Sequence, residues 1–262
     1  MASDPRYSLL DRPAILDFTF YPRKEVQKGL PNSTDHFTPV GDGVSVFGRF
    51  YVHSHSSPSI LFFHGNGEIA TDYDLIAPLY NEKGINLFAA DYRGYGASGG
   101  TPTFSNMVGD AHSILKAFLD IRRNDHHTGD IFVMGRSLGS VSAIELALHY
   151  PEQVKGLIIE SGFASIVRLF QHLGFPTELL GIDDISFPNA AKMRSIALPT
   201  LIIHGEYDSL VPVEEANDLF DNAAAERKHL VIIEGADHND IILVGMEQYF
   251  TAITEFIFRE SN

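Results

Sequence analysis

The sequence predicts an α/β protein with a mostly parallel central sheet covered by helices on both faces. Short apolar runs alternate along the chain with longer segments of helical periodicity. These runs are nearly continuous in Val, Ile, Leu and Phe, which is typical of strands buried on both faces. The 262 residues contain no internal repeat or low-complexity tract. We therefore expect one domain over residues 36–262, with residues 1–35 as an arm packed on it.

The composition narrows the classes of function. Acidic residues number 34 against 19 basic ones, and the net charge of −15 disfavours nucleic acid or an anionic membrane as the main partner. The chain has no cysteine, which excludes disulfides, thiolate catalysis and cysteine-bound zinc. No signal-peptide pattern and no run of 18 apolar residues occur, so we expect a cytoplasmic protein without a membrane span. The oligomeric state cannot be read from the sequence.

The predicted elements follow from periodicity and from the turn residues between them. Residues 36–52 read as a hairpin around Gly41-Asp42-Gly43, which adds antiparallel strands at one edge of the sheet. Gly84 is expected to end the helix before it as a carboxyl-terminal cap. The remaining predicted strands cover residues 59–63, 85–90, 131–134, 156–160, 200–204 and 230–233, and the predicted helices cover 72–83, 104–123, 138–148, 213–224 and 241–258.

One segment, residues 163–198, lacks a regular pattern and is rich in apolar side chains. It reads as a short helical cap inserted above the domain, and plain packing onto the core explains its composition equally well. Its apolar residues are Phe170, Leu173, Phe175, Leu179, Leu180 and Phe187.

The stretch Gly135-Arg136-Ser137-Leu138-Gly139 is a G-x-S-x-G motif between a predicted strand and a predicted helix. A serine at the tip of so sharp a turn needs a strained backbone and close passage of the neighbouring chain, which glycine permits. The helix that follows points free N–H groups toward any oxyanion beside Ser137. The motif alone is weak, because a tight Gly-Ser turn produces the same letters.

Three further loops place reactive side chains after predicted strands, where sites form in parallel sheets. They contain His64 to Gly67, Asp208 and His238, and the order Ser, Asp, His is the one that a serine on such a turn requires. His238 is expected to take the proton of Ser137, and Asp208 to orient the imidazole. The expected oxyanion donors are the backbone N–H groups of Leu138 and Asn66.

Each of these residues also has a simpler interpretation. Asp208 could cap the helix that follows, and His238 could be a surface histidine. Glu160 and, more distantly, Glu206 compete with Asp208 as the acid. His64 is expected to brace the oxyanion loop, and Asp91 to hydrogen-bond within its own loop.

Two sequence patterns suggest a dinucleotide site and a metal site, but the residues around each pattern argue against that interpretation. Gly94 to Gly99 spells G-x-G-x-x-G, but Pro102 delays the next helix and no acidic residue ends the following strand, so a glycine-rich loop is preferred to a dinucleotide site. His53 and His55 would face one side of the second strand, but no third ligand follows at a suitable spacing, so a surface pair is preferred to a metal site. We expect neither a cofactor nor a metal.

Six strings together resemble the α/β-hydrolase superfamily from about residue 36 to the end of the chain. They are HGNG (64–67), DYRGYGASGG (91–100), GRSLGS (135–140), FPN (187–189), LPTLIIHGEYDSLVP (198–212) and EGADHNDI (234–241). They are similar to the small serine-hydrolase branch that includes the membrane-tethered protein depalmitoylases. The resemblance implies an α/β-hydrolase fold and a cofactor-free hydrolase of esters or thioesters, with Ser137, Asp208 and His238 matching the triad. The chain lacks the cysteine-rich amino terminus of the depalmitoylases.

The predicted function is therefore a serine hydrolase that cleaves small-molecule carboxylic esters or thioesters through an acyl-enzyme intermediate. Amide, peptide or C–C bond cleavage by the same triad is an alternative. A ligand-binding module that keeps the hydrolase fold with little turnover is another.

Overall fold

The computed structural model describes residues 5–182 and 188–260, and its centre is one eight-stranded sheet. The strand order is β1-β2-β4-β3-β5-β6-β7-β8. The strands are β1 Ser33–Gly41, β2 Val44–Tyr51, β3 Ser59–Phe63, β4 Asn86–Ala90, β5 Ile131–Arg136, β6 Gly156–Glu160, β7 Thr200–Gly205 and β8 Lys228–Ile233.

Strands β3 to β8 pair in parallel, and the amino-terminal hairpin supplies the antiparallel edge. All residues of β3 to β7 are buried, which explains their continuous apolar sequences. The carboxyl ends of β3, β5, β7 and β8 therefore point the same way, so the loops that follow them can meet at one edge of the sheet. The predicted α/β class with a mostly parallel sheet is confirmed.

Helices cover both faces of the sheet, and each face has its own apolar core. The larger core lies under α1, α2 and α4 to α8, and the smaller one under α3 and α9. The helices are α1 Pro5–Leu10, α2 Pro13–Thr19, α3 Ala77–Glu82, α4 Phe104–Asn124, α5 Ser140–His149, α6 Ile166–His172, α7 Pro188–Met193, α8 Val213–Asn222 and α9 Ile241–Glu260.

The amino-terminal segment holds two short helices, although its sequence shows no clear periodicity. Tyr7, Leu10 and Ile15 are fully buried on the larger core. The Asp11 carboxylate accepts hydrogen bonds from the backbone N–H groups of Phe104 (2.8 Å) and Ser105 (3.3 Å), which ties the segment to the first turn of α4. Each helix is too short for a periodic pattern, and burial of single side chains determines it instead.

Two local expectations were wrong. The helix predicted over residues 72–83 is divided into a 3₁₀ turn, Ala70–Asp74, and α3, because Pro78 fits the first turn of a helix and not its interior. His53 and His55 do not lie on a strand, since β2 ends at Tyr51; both are exposed in the loop that follows.

The segment between β6 and β7 contains α6, a 3₁₀ turn at Thr177–Leu180, and α7. Phe170 is buried and packs edge-on against Phe18, with ring centroids 5.6 Å apart. Leu173 is 41% exposed and Leu179 is 83% exposed. Phe175 is half-buried between Phe18 and Phe170. The side chain of Leu180 and the whole of Phe187 lie outside the described residues.

Helix α9 is the single described helix long and apolar enough to cross a membrane by length and composition. In the fold its inner face packs on the smaller core, and a core helix of a soluble protein passes the same test. It bends at Gly245, where a Cβ would lie 2.3 Å from Ile233 Cγ2, so the glycine allows the helix to approach β8. The buried residues of its inner face are Ile241, Tyr249, Phe250, Ile253, Phe256 and Ile257.

Candidate active site

Ser137 occupies a strained turn between β5 and α5. Its φ is +50°, a left-handed value that a residue with a side chain rarely adopts. A Cβ on Gly135 would lie 2.3 Å from the Gly139 carbonyl oxygen, and one on Gly139 would lie 2.1 Å from the Phe63 carbonyl oxygen. Both glycines of the motif are therefore required by close backbone passage. The turn holds the half-buried Ser137 side chain at the end of a central strand.

Asp208 and His238 come together from the loops after β7 and β8. The Asp208 Oδ2 atom lies 2.8 Å from His238 Nδ1, and its Oδ1 atom accepts the backbone N–H groups of Leu210 (3.1 Å) and Val211 (2.7 Å). Burial raises the pKa of Asp208, but the hydrogen bonds from His238 and Val211 outweigh it and leave the pKa below its usual value. Asp208 is thus held as a carboxylate that fixes the orientation of the imidazole.

The loop after β3 carries Asn66, whose side chain is held on three sides. Its amide nitrogen donates to the Thr19 carbonyl, and its Oδ1 atom accepts the Tyr21 N–H (3.0 Å) and the Tyr95 hydroxyl (2.7 Å). No acceptor for the Asn66 backbone N–H is found among the described residues. Leu138 lies in the first turn of a helical segment, where N–H groups have no intrahelical acceptor. Both N–H groups are available to a ligand.

Contacts of the buried His64 also hold this loop in place. His64 is fully buried, with its Nδ1 atom 2.7 Å from the Gly65 carbonyl and its own carbonyl accepting the Tyr92 hydroxyl (2.7 Å). The expectation that Asp91 bonds within its own loop was wrong. Its Oδ1 atom accepts the Ala70 N–H (2.6 Å), and it lies 3.2 Å from His64 Nε2, because β4 ends beside β3 and brings the two loops together.

Ser137, His238, Asn66 and Leu138 line one cavity of about 420 Å³, a size typical of small-molecule sites. These residues, together with Arg136 and Asn239, are called the polar side of the cavity. Most of the other lining residues are apolar and are called the apolar side, and no carboxylate lines the cavity within the described residues. The apolar side comprises Phe18, Phe163, Ile166, Leu169, Phe170, Leu173 and Leu210.

The Ser137 hydroxyl and the His238 imidazole are not hydrogen-bonded to each other within the described residues. They share the cavity, and His238 Nδ1 is occupied by Asp208, which leaves Nε2 as the nitrogen available for Ser137. Contacts between nucleophile and base are often loose without substrate and tighten in the complex.

The competing acids are engaged elsewhere. Glu160 Oε1 accepts from Arg136 (3.0 Å) and its Oε2 accepts the Tyr249 hydroxyl (2.7 Å). Glu206 accepts the Gly235 N–H (2.9 Å). Of the three acids considered, Asp208 is the one that contacts His238.

The glycine-rich loop at residues 94–99 does not open a helix. The next helix, α4, begins at Phe104, five residues beyond Gly99. Gly94 and Gly96 have positive φ values and form turns, and Arg93 anchors the loop through two hydrogen bonds to Asp110. The geometry is that of a packed loop.

One cluster in the described chain has the residue types of a metal site. Ligand atoms of His112, Glu145 and His149 lie within 4.8 Å of one another. Glu145 is already paired with Lys192, and His112 Nδ1 lies 2.9 Å from the Tyr150 hydroxyl. Because Lys192 supplies the countercharge, the cluster is an ion-pair network between α4, α5 and α7. A larger groove of about 690 Å³ along β8 and α9 contains none of the predicted site residues.

Two site residues could not be identified by the sequence motifs. His204, fully buried on β7, has its pKa lowered by burial, and its Nε2–H donates to the Val211 carbonyl beside Asp208 (2.8 Å). Arg136, within the motif itself, binds four groups around the site. In the sequence, Arg136 is marked only by its charge at the end of an otherwise apolar strand.

Comparisons with known proteins agree with this architecture. The profile of the family described as "Serine aminopeptidase, S33" matches residues 54–182 and 182–242. The alpha/beta hydrolase domain-containing protein 17B of Homo sapiens is 33% identical over 207 residues, which cover 77% of this chain and 67% of that protein.

Two solved structures resemble the fold. A Pyrococcus furiosus esterase, Pf2001, superposes with a TM-score of 0.73 at 22% identity, covering 91% of this chain and 98% of that chain. A Paleococcus ferrophilus monoacylglycerol lipase gives 0.63 at 19% identity, covering 82% and 99%. The sheet order, the family profile and the 17B relative agree with the resemblance in the motifs: the chain belongs to the α/β-hydrolase superfamily, in the family of that serine aminopeptidase profile, and is related to the α/β-hydrolase domain-containing proteins.

Proposed function

We propose that this α/β hydrolase cleaves carboxylic esters or thioesters through an acyl-enzyme intermediate on Ser137. The observation that carries the proposal is the 2.8 Å contact between Asp208 and His238, with His238 and Ser137 lining one cavity. A serine hydroxyl needs a base at neutral pH, and an imidazole fixed by a carboxylate is that base.

The chemical steps follow from these positions. His238 Nε2 takes the proton of Ser137 as Oγ attacks the carbonyl carbon, and the negative charge develops on the carbonyl oxygen. The backbone N–H groups of Asn66 and Leu138 stabilise that oxyanion. The imidazolium gives its proton to the leaving alkoxide or thiolate, and the acyl group remains on Ser137. A water deprotonated by His238 then releases the acid and restores the hydroxyl.

The apolar side of the cavity favours an apolar acyl group. Phe18, Phe170 and Leu173 line it from the amino-terminal segment and from the β6–β7 segment, and burial of an apolar acyl group there is favourable. We propose that residues 163–198 act with the amino-terminal segment as the substrate-selecting cap.

Peptide hydrolysis is the second candidate, since the matching family is described as a serine aminopeptidase. Recognition of a free amino terminus requires a countercharge near the cleaved bond, because a buried ammonium must be paired. No carboxylate lines the cavity within the described chain. The cavity therefore favours esters and thioesters over peptides with a free amino terminus.

The test is labelling by a fluorophosphonate probe together with turnover of p-nitrophenyl esters from acetate to palmitate. Wild-type protein should be labelled and turn over esters, and Ser137→Ala should lose both. Ser142→Ala is the matched control, since that hydroxyl lies on α5, the helix that follows Ser137, and donates to the Met107 carbonyl. Labelling without ester turnover would favour amide or C–C substrates, and no labelling would favour a binding module.

A further inference from the structure

We propose that Arg136 is a positioning residue that sets His238 and the oxyanion loop relative to Ser137. The inference rests on the proposed function, because it assigns Arg136 a role in the same site. Arg136 directly precedes Ser137 in the chain, and its side chain is almost completely buried beneath the site. It is the residue through which two loops and the neighbouring strand β6 are joined.

The first contact is with the histidine loop. The Arg136 Nη2 atom donates to the His238 backbone carbonyl (2.7 Å) and to the Asn239 side-chain oxygen (3.0 Å). Asp208 fixes the rotation of the imidazole, but it does not fix where the backbone of His238 lies. The guanidinium supplies that second constraint, so the distance from His238 to Ser137 depends on it.

The second contact is with the oxyanion loop. Arg136 Nη1 is ion-paired with Glu68 Oε1, and Glu68 Oε2 accepts the Gly65 N–H and the Tyr73 hydroxyl, each at 2.8 Å. A Cβ on Gly65 would lie 2.6 Å from Arg136 Nη1, so the loop rests directly on the guanidinium. The position of the Asn66 N–H therefore depends on the same side chain.

The third contact anchors the guanidinium itself. Arg136 Nε donates to Glu160 Oε1 (3.0 Å), and Glu160 is the residue in register with Arg136 on β6. Tyr249 of α9 donates to the other oxygen of Glu160 (2.7 Å). The anchor therefore joins β5, β6 and α9.

Lysine cannot replace this arrangement. The guanidinium is a planar fork with five donors that point in fixed directions, and here its three nitrogens bind three different segments. An ammonium has one nitrogen and would satisfy one segment at the expense of the others. A displacement of about 1 Å at a catalytic group can reduce the rate on the order of 100-fold.

The experiment compares Arg136→Lys with Arg49→Lys in the full chain. Arg49 is a matched control because it is also buried and also pairs with two carboxylates, those of Asp35 and Asp74, but lies on β2, which contributes no residue to the cavity. We expect Arg136→Lys to reduce kcat and the rate of fluorophosphonate labelling by about 100-fold, with KM changed less than about twofold. Arg49→Lys should leave kcat unchanged at a comparable fall in Tm.

A second measurement keeps the proposal testable if substitution lowers stability. Arg136 lines two cavities, so a small cation can reach its position. Added guanidinium at low millimolar concentration should partly restore kcat in Arg136→Ala, and methylammonium at equal ionic strength should not. Unchanged kcat in Arg136→Lys, an equal loss in Arg49→Lys, or equal rescue by both cations overturns the proposal. If the wild-type protein is not labelled, the proposed function has failed instead, independently of Arg136.

Discussion

The two sides of the cavity are built on different principles. On the polar side, Asn66 and Arg136 are each held by three or more hydrogen bonds or ion pairs, as is Asp208, which contacts His238 without lining the cavity itself. On the apolar side, Phe18 and Phe170 are held by packing alone, and Leu173 and Leu210 remain partly exposed.

The difference indicates which properties each side controls. Hydrogen bonds are directional, so the polar side has one working geometry, and a change there should affect the rate of the chemical step. Apolar packing is not directional, so the shape of the apolar side can change without altering the rate of the chemical step. Changes there should affect which substrates fit.

The largest expected effect is that of Asp208→Asn. The amide would still hold the ring but would favour the wrong tautomer of His238, and we expect kcat to fall by about 10⁴-fold. Glu206→Gln is the control, because Glu206 is in the same loop and its side chain binds only the Gly235 N–H among the described contacts. Steady-state kinetics on the best p-nitrophenyl ester provide the measurement. A loss below about tenfold would remove Asp208 from the proposed mechanism.

The next effect is that of Asn66→Ala. Loss of the side chain would release the loop from Thr19, Tyr21 and Tyr95, and its backbone N–H would no longer be aimed by those contacts. Complete loss of an oxyanion donor typically costs about 10²–10³-fold, so we expect a reduction in kcat of about 10–100-fold. Asn222→Ala is the control, because this half-buried asparagine at the end of α8 is hydrogen-bonded on both sides of its amide but does not line the cavity. Equal kcat in the two variants would show that the rate does not depend on how the Asn66 N–H is held.

On the apolar side the pair Leu173→Trp and Leu179→Trp separates cavity shape from surface change. Leu173 lines the cavity, whereas Leu179, in the same segment, does not. Leu173→Trp should reduce kcat/KM for long-chain esters by about tenfold, through lost space for the acyl group, and leave acetate unchanged. The measurement is the chain-length profile of each variant. An identical chain-length profile for both variants would contradict the proposal that the apolar side of the cavity selects the substrate.

The smallest effect on activity is expected for Glu145→Gln, in the ion-pair network remote from the cavity. Burial raises the pKa of Glu145, but the hydrogen bond from His112 and the charge of Lys192 lower it to about 2. Because the folded pKa is below the unfolded one, the carboxylate stabilises the fold above about pH 4.5, and this contribution is lost as the pH falls toward 2.

We therefore expect Glu145→Gln to lower the free energy of unfolding by about 3 kcal/mol at pH 7. The difference from wild type should begin to shrink below about pH 4.5. Urea denaturation at several pH values measures this, with kcat as a second reading that should not change. A difference that grows at low pH would contradict the sign.

Sequence patterns predict the parts of this protein that local physics decides. The buried strands have continuous apolar sequences, and Gly135 and Gly139 follow from the close backbone passage around Ser137. The contact between Asp208 and His238 could be expected from the sequence, because each follows a separate parallel strand. Such residues combine a local signal with a position at a strand end.

Other features depend on contacts between distant segments and carry no local signal. Asp91 binds the Ala70 N–H because two strands end side by side, which no spacing in the sequence reveals. The Asn66 side chain is hydrogen-bonded to Thr19 and Tyr21, which lie more than forty positions earlier in the sequence. Helices α1 and α2 are held in place because a few of their side chains, Tyr7, Leu10 and Ile15, are buried in the core. These features require the fold before they can be predicted.

The attachment of the amino-terminal segment has a consequence for the order in which the protein matures. Tyr7 contacts Lys192, and Phe18 packs against Phe170, so this segment cannot reach its place until most of the chain has been made. At typical translation rates the delay between Tyr7 and Lys192 is about 10–40 s. Residues 5–20 are thus synthesised well before the segments on which they dock, and the gain of hydrolytic activity would mark the moment at which they do.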